Sequence, residues 1–329
     1  MGDSQQLQKE KYRRYRADLR VFGAIGFQDS PGNGLWLGKQ RCRPQASLLA
    51  RIVDGAIRKG VDAIGLTSED KMMLPGSPED RFGFIRKLAK TDDRVLDGSY
   101  SRNFGKFSYH LHEINPGIMS ATRFEHGEST RIEKVYLVNC ETMGPPEGQN
   151  WGGLKLHVVG GNLLRKNLDL KDAVNYVNDQ RYMSFLIGVD PENQEMANRV
   201  IEKVTGVIGH DATNTFPDWM TYIPKIGPIL RPRSRGRNNF ANEYARESGK
   251  PSIAVSSAHW IHEIGGASIV VKDEGQFNLE DIRTQIEVEE FHPRKGHNNI
   301  WGVARFGWLI NKYGGAPDRF AGDSLSSYN

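Results

Sequence analysis

A chain of 329 residues, 38% of them hydrophobic, is too long for one small module and suits one large α/β barrel or two domains. Its formal net charge of +4 is mildly basic and does not by itself imply a nucleic-acid partner. Its two cysteines, Cys42 and Cys140, lie far apart without any CxxC, which excludes a cysteine-zinc site and a disulfide framework and fits a reducing compartment.

The first 20 residues are polar and charged, with no apolar stretch of a secretory leader. No run approaches the roughly 18 apolar residues of a membrane helix. The expectation is a soluble cytoplasmic protein with no membrane partner.

Taken in chain order, residues 4–18 read as a basic helix carrying Lys9, Lys11, Arg13, Arg14 and Arg16. A strand follows over 19–27, then the loop Pro31-Gly32-Asn33-Gly34. Residues 46–59 have helical periodicity, with Leu48, Leu49, Ile52, Val53, Ala56 and Ile57 on one face and Gly60 as the stop. A buried-type strand spans 61–67. Residues 77–89 read as a helix capped by Ser77. Residues 98–150 break the alternation with β-like runs at 106–111, 117–124 and 131–138. A strand at 154–159 restores it.

Then come helix 170–180, strand 183–188, helix 191–204, strand 206–209, helix 216–222, strand 226–230, helix 238–248 and strand 252–255. Strand 267–271, helix 279–290 and an amphipathic segment at 301–312 end the pattern. Strands alternating with helices argue for a parallel sheet. The expected organisation is a basic N-terminal helix over 1–18 and one α/β barrel over 19–295 with a β-rich insertion at about 98–150. A C-terminal helix and tail follow over 296–329. Neither GxGxxG nor GxxxxGK[ST] occurs after a strand, so nucleotide-fold fingerprints are missing.

Five strands end on a carboxylate or imidazole: Asp29, Glu69, Glu141, His210 and His259. In an α/β barrel the C-terminal strand ends surround the cleft, so these five are candidate metal ligands. Each has a plainer reading. Asp29 sits by a turn, and Glu69 and Asp70 suit a helix cap. His210 and His259 suit hydrogen-bonded rim residues, with Asp211 a possible orienting partner of His210. A buried Glu141 needs a partner in either reading. His157 lies mid-strand and reads as core. His110 and His112 share one strand face as an HxH pair. Arg231, Arg233 and Arg235 follow the strand read at 226–230. They are either a solvated loop or a phosphate-binding one, since arginine forks match phosphate oxygens.

These residues resemble the motifs of the PHP (polymerase and histidinol phosphatase) superfamily. Val61 to Asp70 is similar to a strand running into Thr-Asp-His-Asp. Ala254 to His259 with Glu263-Ile264-Gly265 resembles the last motif, Gly-Ser-Asp-Ala-His with a downstream Glu-Ile-Gly. Val207 to Asp211 resembles the Ala-His-Pro strand end. Asn139-Cys140-Glu141 with Leu156 to Gly160 resembles the Gly-x-Glu strand and its His-Val-Leu-Gly successor. Phe27 to Ser30 stands where the opening His-x-His-Thr falls. The resemblance spans roughly residues 19–271 in order.

The resemblance implies a distorted (β/α)7 TIM-like barrel with a cluster of divalent metals at its C-terminal rim and phosphoester hydrolysis as its reaction. It also implies departures. Phe27, Asp29, Ser68-Glu69 and Ser257 stand where the family has His, His, Asp-His and Asp. Mixed carboxylate and imidazole ligands suit Mn, Zn or Fe, and more carboxylate shifts the preference toward Mn or Mg. The expected function is that of a metal-dependent phosphoesterase-like protein. Its substrate would be a phosphorylated small molecule, a nucleotide or a nucleic acid. The alternative is a catalytically degenerate barrel serving as a binding or structural subunit in a nucleic-acid complex.

Overall fold

The computed structural model describes residues 14–22, 46–69, 107–125, 132–146, 148–161, 168–212, 227–258, 261–273, 275 and 277–296. Eleven strands form one sheet: β1 (Arg14–Phe22), β2 (Ala63–Glu69), β3 (Phe107–Asn115), β4 (Ile118–Glu125), β5 (Ile132–Met143), β6 (Lys155–Val159), β7 (Met183–Ile187), β8 (Gly206–Asp211), β9 (Ser252–Val255), β10 (Ser268–Lys272) and β11 (His292–Arg294). Along the sheet the order is β11-β10-β1-β2-β5-β6-β7-β8-β9, with the β3–β4 hairpin paired onto β5 through β4. The helices are α1 (Ala46–Lys59), α2 (Leu170–Asp179), α3 (Gln194–Asn198), α4 (Gly227–Glu247) and α5 (Leu279–Glu287).

The sheet curls into a nearly closed barrel, and the burial pattern shows why. One apolar cluster takes Ala17 from β1, Ala63 from β2, Val138 from β5, Val159 from β6, Phe185 from β7, Ile208 from β8, Ile253 from β9 and Ile269 from β10. Residues from eight successive strands share one core only if the sheet wraps around it. The outer face is covered by helices. Ile52 and Val53 of α1 pack on Ile64 and Leu137. Val174 of α2 and Ala241 of α4 pack with Leu156, Leu186 and Val207. Gly65 permits a close approach inside: a Cβ there would lie 2.1 Å from the Leu19 carbonyl oxygen and 2.7 Å from Cys140 Sγ.

Strand direction fixes the rim. β1, β2 and β5 run parallel, β6 runs against both β5 and β7, and β7, β8 and β9 are parallel. Six strands therefore point the same way, and their C-terminal ends surround one opening. β10 runs against β1 and β11 against β10, so the start of β10 and the end of β11 reach the same rim.

Two expected elements differ. Residues 14–18, read as the end of a basic helix, are strand, because Tyr15, Ala17 and Leu19 alternate into the core while the charged residues between them find buried partners. The segment read as strand 226–230 and an arginine loop is the continuous helix α4. Pro228 suits a helix start, where its missing amide costs nothing, and Pro232 withdraws only one further amide. The helix read over 191–204 is the short α3 and a 3-10 turn at Ile201–Lys203. The helices expected at 77–89, 216–222 and 301–312 lie outside the described residues.

Candidate functional site at the C-terminal rim

β1 brings two buried charges to the rim. Asp18 has no exposed surface, and its carboxylate accepts the Ser256 amide at 3.1 Å and the Gly265 amide at 2.8 Å. It thereby ties the turn after β9, and the Gly265 loop, to the first strand. Burial pushes its carboxyl up to about 6, held back by the amides it accepts. Two residues on, past an irregularity in the β1–β2 register, Arg20 is 5% exposed. Its Nη1 donates to Asp211 Oδ2 at 2.8 Å and to Ser257 Oγ at 2.5 Å. Ser257 Oγ in turn donates to Asp211 Oδ2 at 2.8 Å. The three residues come from β1, β8 and the end of β9, and they close the seam of the barrel. Ser257 sits at φ 49°, a left-handed conformation that a non-glycine residue holds only where its surroundings impose it.

β8 reaches the rim through an irregularity at Gly209, where the register to β9 shifts between Ile208 and His210. A Cβ at Gly209 would lie 2.0 Å from Ser252 Oγ and 2.6 Å from Asn242 Oδ1. Two asparagines one turn apart on α4 hold this backbone. Asn242 Nδ2 donates to the Gly209 carbonyl at 2.6 Å, and Asn238 Nδ2 donates to the Asp211 carbonyl at 3.1 Å. The irregularity lets Asp211 reach Arg20 while His210 Nε2 meets the Gly296 carbonyl at 2.8 Å.

β5 and β6 turn Val138, Cys140, Val159 and the Thr142–His157 pair inward, while Glu141 shares the other strand face with Val158. Glu141 is 3% exposed and stands opposite Ser68 of β2 and Val158 of β6. His157 is wholly buried. Its Nε2 lies 2.9 Å from the Leu19 carbonyl, which can only accept, so Nε2 carries the proton. Its Nδ1 then accepts the Thr142 hydroxyl at 3.1 Å. Burial, reinforced by the positive charge of Arg20, pushes this imidazole down to about 3 and keeps it neutral.

Of the five candidate metal ligands, Glu141 and His210 are described and buried, on β5 and β8. Glu69 ends β2 opposite Thr142. Asp29 and His259 lie outside the described residues. Arg231, Arg233 and Arg235 are positions of α4 rather than of a rim loop, so helical spacing sets 231 and 235 one turn apart and 233 away from both. Asp211, read as a possible orienting partner of His210, is paired with Arg20 and Ser257. His157 is core, as expected, whereas His110 and His112 are exposed on the β3–β4 hairpin.

The sequence reading missed Asp18 and Arg20. Their signal was charge interleaved with the alternating apolar residues Tyr15, Ala17 and Leu19, in a strand whose register then shifts between Asp18 and Val21. Among the described residues, no three His, Cys, Asp or Glu side chains gather closely enough to hold a metal. The Arg20–Asp211–Ser257 corner does not fit a divalent ion, because a guanidinium already holds the carboxylate. Glu141 and His210 are of the right chemistry to share one with residues beyond the described set.

Residues 235–290, running from within α4 through β9, β10 and α5, match the family model described as PHP-associated. Among solved structures the chain is similar to PsfC from Pseudomonas syringae PB-5123, at 11% identity and TM-score 0.45 over 92% of this chain and 98% of that one. It is also similar to the lesion-specific endonuclease PfuEndoQ from Pyrococcus furiosus, at 11% identity and TM-score 0.45 over 85% of this chain and 58% of that one. No curated protein matches the chain. The PHP-associated region carries Asn238, Asn242, Ser257 and Gly265, so it supplies the supports of β8 and two of the rim partners of β1. Among the described residues no helix is long and apolar enough to cross a membrane.

Proposed function

We propose that this protein is of PHP type and hydrolyses a phosphate ester at the C-terminal rim of its barrel. The observation that carries the reading is strand direction: the parallel order of β2, β5 and β8 gives Glu69, Glu141 and His210 one common rim. Glu141 and His210, with Glu69, Asp29 and His259, would hold a divalent ion, Mn, Zn, Mg or Fe. Such an ion supplies a bound water of lowered pKa and screens the phosphate charge. The chain's own residues do the positioning. Asp18 holds the turn that precedes His259, Asn238 and Asn242 hold the strand that carries His210, and the Gly296 carbonyl orients its imidazole.

The substrate class we favour is a nucleotide or a nucleic-acid end, because α4 carries Arg231 and Arg235 one turn apart in a basic run. A second reading, a barrel that binds without catalysis, is favoured by one observation. Asp211 and Ser257, at two of the strand ends, are engaged by Arg20. The test is hydrolysis of p-nitrophenyl phosphate, bis-p-nitrophenyl phosphate and a 5′-phosphorylated oligonucleotide with each of the four metals. Metal-dependent turnover that falls at least a hundredfold in Glu141→Gln supports the first reading. No turnover with any metal sinks it and leaves the second.

A further inference from the structure

The rim holds a buried cation that the proposed chemistry does not use. Arg20 is 5% exposed, and one of its nitrogens contacts both Asp211 Oδ2 and Ser257 Oγ. The contact is built from several sides. The Asp18–Val21 irregularity gives Arg20 its place on β1, and the Gly209 irregularity gives Asp211 its place on β8. Ser257 adopts a left-handed backbone and is 1% exposed. Asn238 fixes the Asp211 backbone from α4. A carboxylate at a strand end of a PHP-type rim is an obvious ligand for a divalent ion, yet here the oxygen that would bind one is shared by a guanidinium and a hydroxyl.

We infer that Arg20 is a built-in cation that takes the place of one divalent ion on Asp211 and Ser257, so that this corner of the rim excludes metal. The charge argument is direct. A buried carboxylate needs a cation or hydrogen-bond donors, and Arg20 meets that need permanently, independent of metal supply. A divalent ion on the same oxygen would sit against the guanidinium in a site of low dielectric, where like charges repel strongly. Ser257 completes the exchange. A hydroxyl can both accept from Arg20 and donate to Asp211, whereas a second carboxylate at that position would attract a metal only once the guanidinium is removed.

The inference rests on the rim being the proposed metal-binding site, and the experiment separates the two. Mn2+ is titrated into the full chain by isothermal calorimetry, with stoichiometry checked by elemental analysis. Asp211→Asn is expected to bind Mn2+ with the wild-type stoichiometry and an affinity within about twofold, while melting at lower temperature because Arg20 loses its partner. Because that variant risks failing to fold, the pair is also removed together as Arg20→Met with Asp211→Leu, which is expected to keep the wild-type Mn2+ binding. The double variant Arg20→Ala with Ser257→Asp is expected to gain one Mn2+, whereas Ser257→Asp alone, with Arg20 retained, gains none. A tenfold or greater loss of Mn2+ affinity in Asp211→Asn or in the paired variant makes Asp211 a ligand and overturns the inference. So does an Arg20→Ala, Ser257→Asp protein that gains no site. A wild-type chain that binds no Mn2+ defeats the metal-dependent reading of the function. The inference about Arg20 still stands in that case if the double variant acquires a site.

Discussion

The Asp18 carboxylate receives the Gly265 amide at 2.8 Å, so the first strand of the barrel holds the loop that follows the ninth. The same carboxylate takes the Ser256 amide, and the chain between these two points carries His259. A residue hidden in β1 therefore sets the course of the last motif at the rim.

Asp18 makes stability depend on pH in an unusual direction. Its folded carboxyl lies at about 6 against an ordinary value of 3.8, so the folded state holds the proton more tightly. Its contribution is most favourable below the ordinary value and is lost as pH rises through about 6. Asp18→Asn removes this trend. Between pH 4 and 6, the variant's unfolding free energy should gain on wild type by on the order of 1.4 kcal/mol per pH unit. Urea denaturation at half-unit pH steps measures it, and parallel curves for the two proteins would refute it.

His157 works against Asp18. Its imidazole is held down to about 3 in the fold, against an ordinary 6.5, so the unfolded chain takes the proton first. That contribution is fully present above about 6.5 and is lost as pH falls toward 3. In the window from 4 to 6 the two residues have opposite slopes and nearly cancel. His157→Gln keeps a donor for the Leu19 carbonyl and an acceptor for Thr142, and removes the titration. Its stability should fall relative to wild type as pH rises from 4 to 6, the reverse of Asp18→Asn. Equal pH dependence in both variants would show that neither group titrates as described.

The turn of β8 at Gly209 has no room for a side chain. Gly209→Ala puts a methyl into Ser252 Oγ and Asn242 Oδ1, and should cost about 1–3 kcal/mol by displacing the Asn242 clamp. Asn242→Ala should cost about 1 kcal/mol, since it loses the bond to the Gly209 carbonyl but creates no clash. Chemical denaturation of both decides the order; a Gly209→Ala protein as stable as wild type would mean that the strand moves freely at this point.

What the sequence made legible follows the apolar pattern. Helix 46–59 and strand 252–255 agree with α1 and β9 at both ends, and the strands inside 183–188 and 206–209 fall within a residue or two. Buried strands are largely apolar runs, as Met183 to Ile187 shows with Ser184 its one polar residue, and such runs stand out. β1 did not stand out, because Arg16, Asp18 and Arg20 are interleaved with its core residues and only tertiary partners make that face compatible with burial. Ile229-Leu230 was ambiguous for the opposite reason: a short apolar run carries no period of its own. At the site, Glu141 and His210 were legible as strand-end residues. The cation opposite Asp211 was not, since Arg20 and Asp211 are brought together by closure of the barrel alone.

The helical placement of the arginines changes what their substitution should do. Arg231 and Arg235 stand one turn apart and Arg233 does not share their face. Arg231→Ala with Arg235→Ala should reduce the slope of log affinity against log salt by roughly two units for double-stranded DNA. Arg233→Ala should leave the slope of the double variant unchanged. Filter binding across a salt series reads both, and an equal effect of all three positions would point to a surface that is merely basic.

The central claim is that Glu141 and His210 belong to one metal-dependent phosphoesterase site at the barrel rim, and anomalous diffraction from crystals grown with Mn2+ tests it most directly. The account predicts a single anomalous peak within roughly 2.0–2.3 Å of both a Glu141 oxygen and a His210 nitrogen, with Asp211 still bound to Arg20. A peak on Asp211, or manganese bound only away from Glu141 and His210, would contradict it.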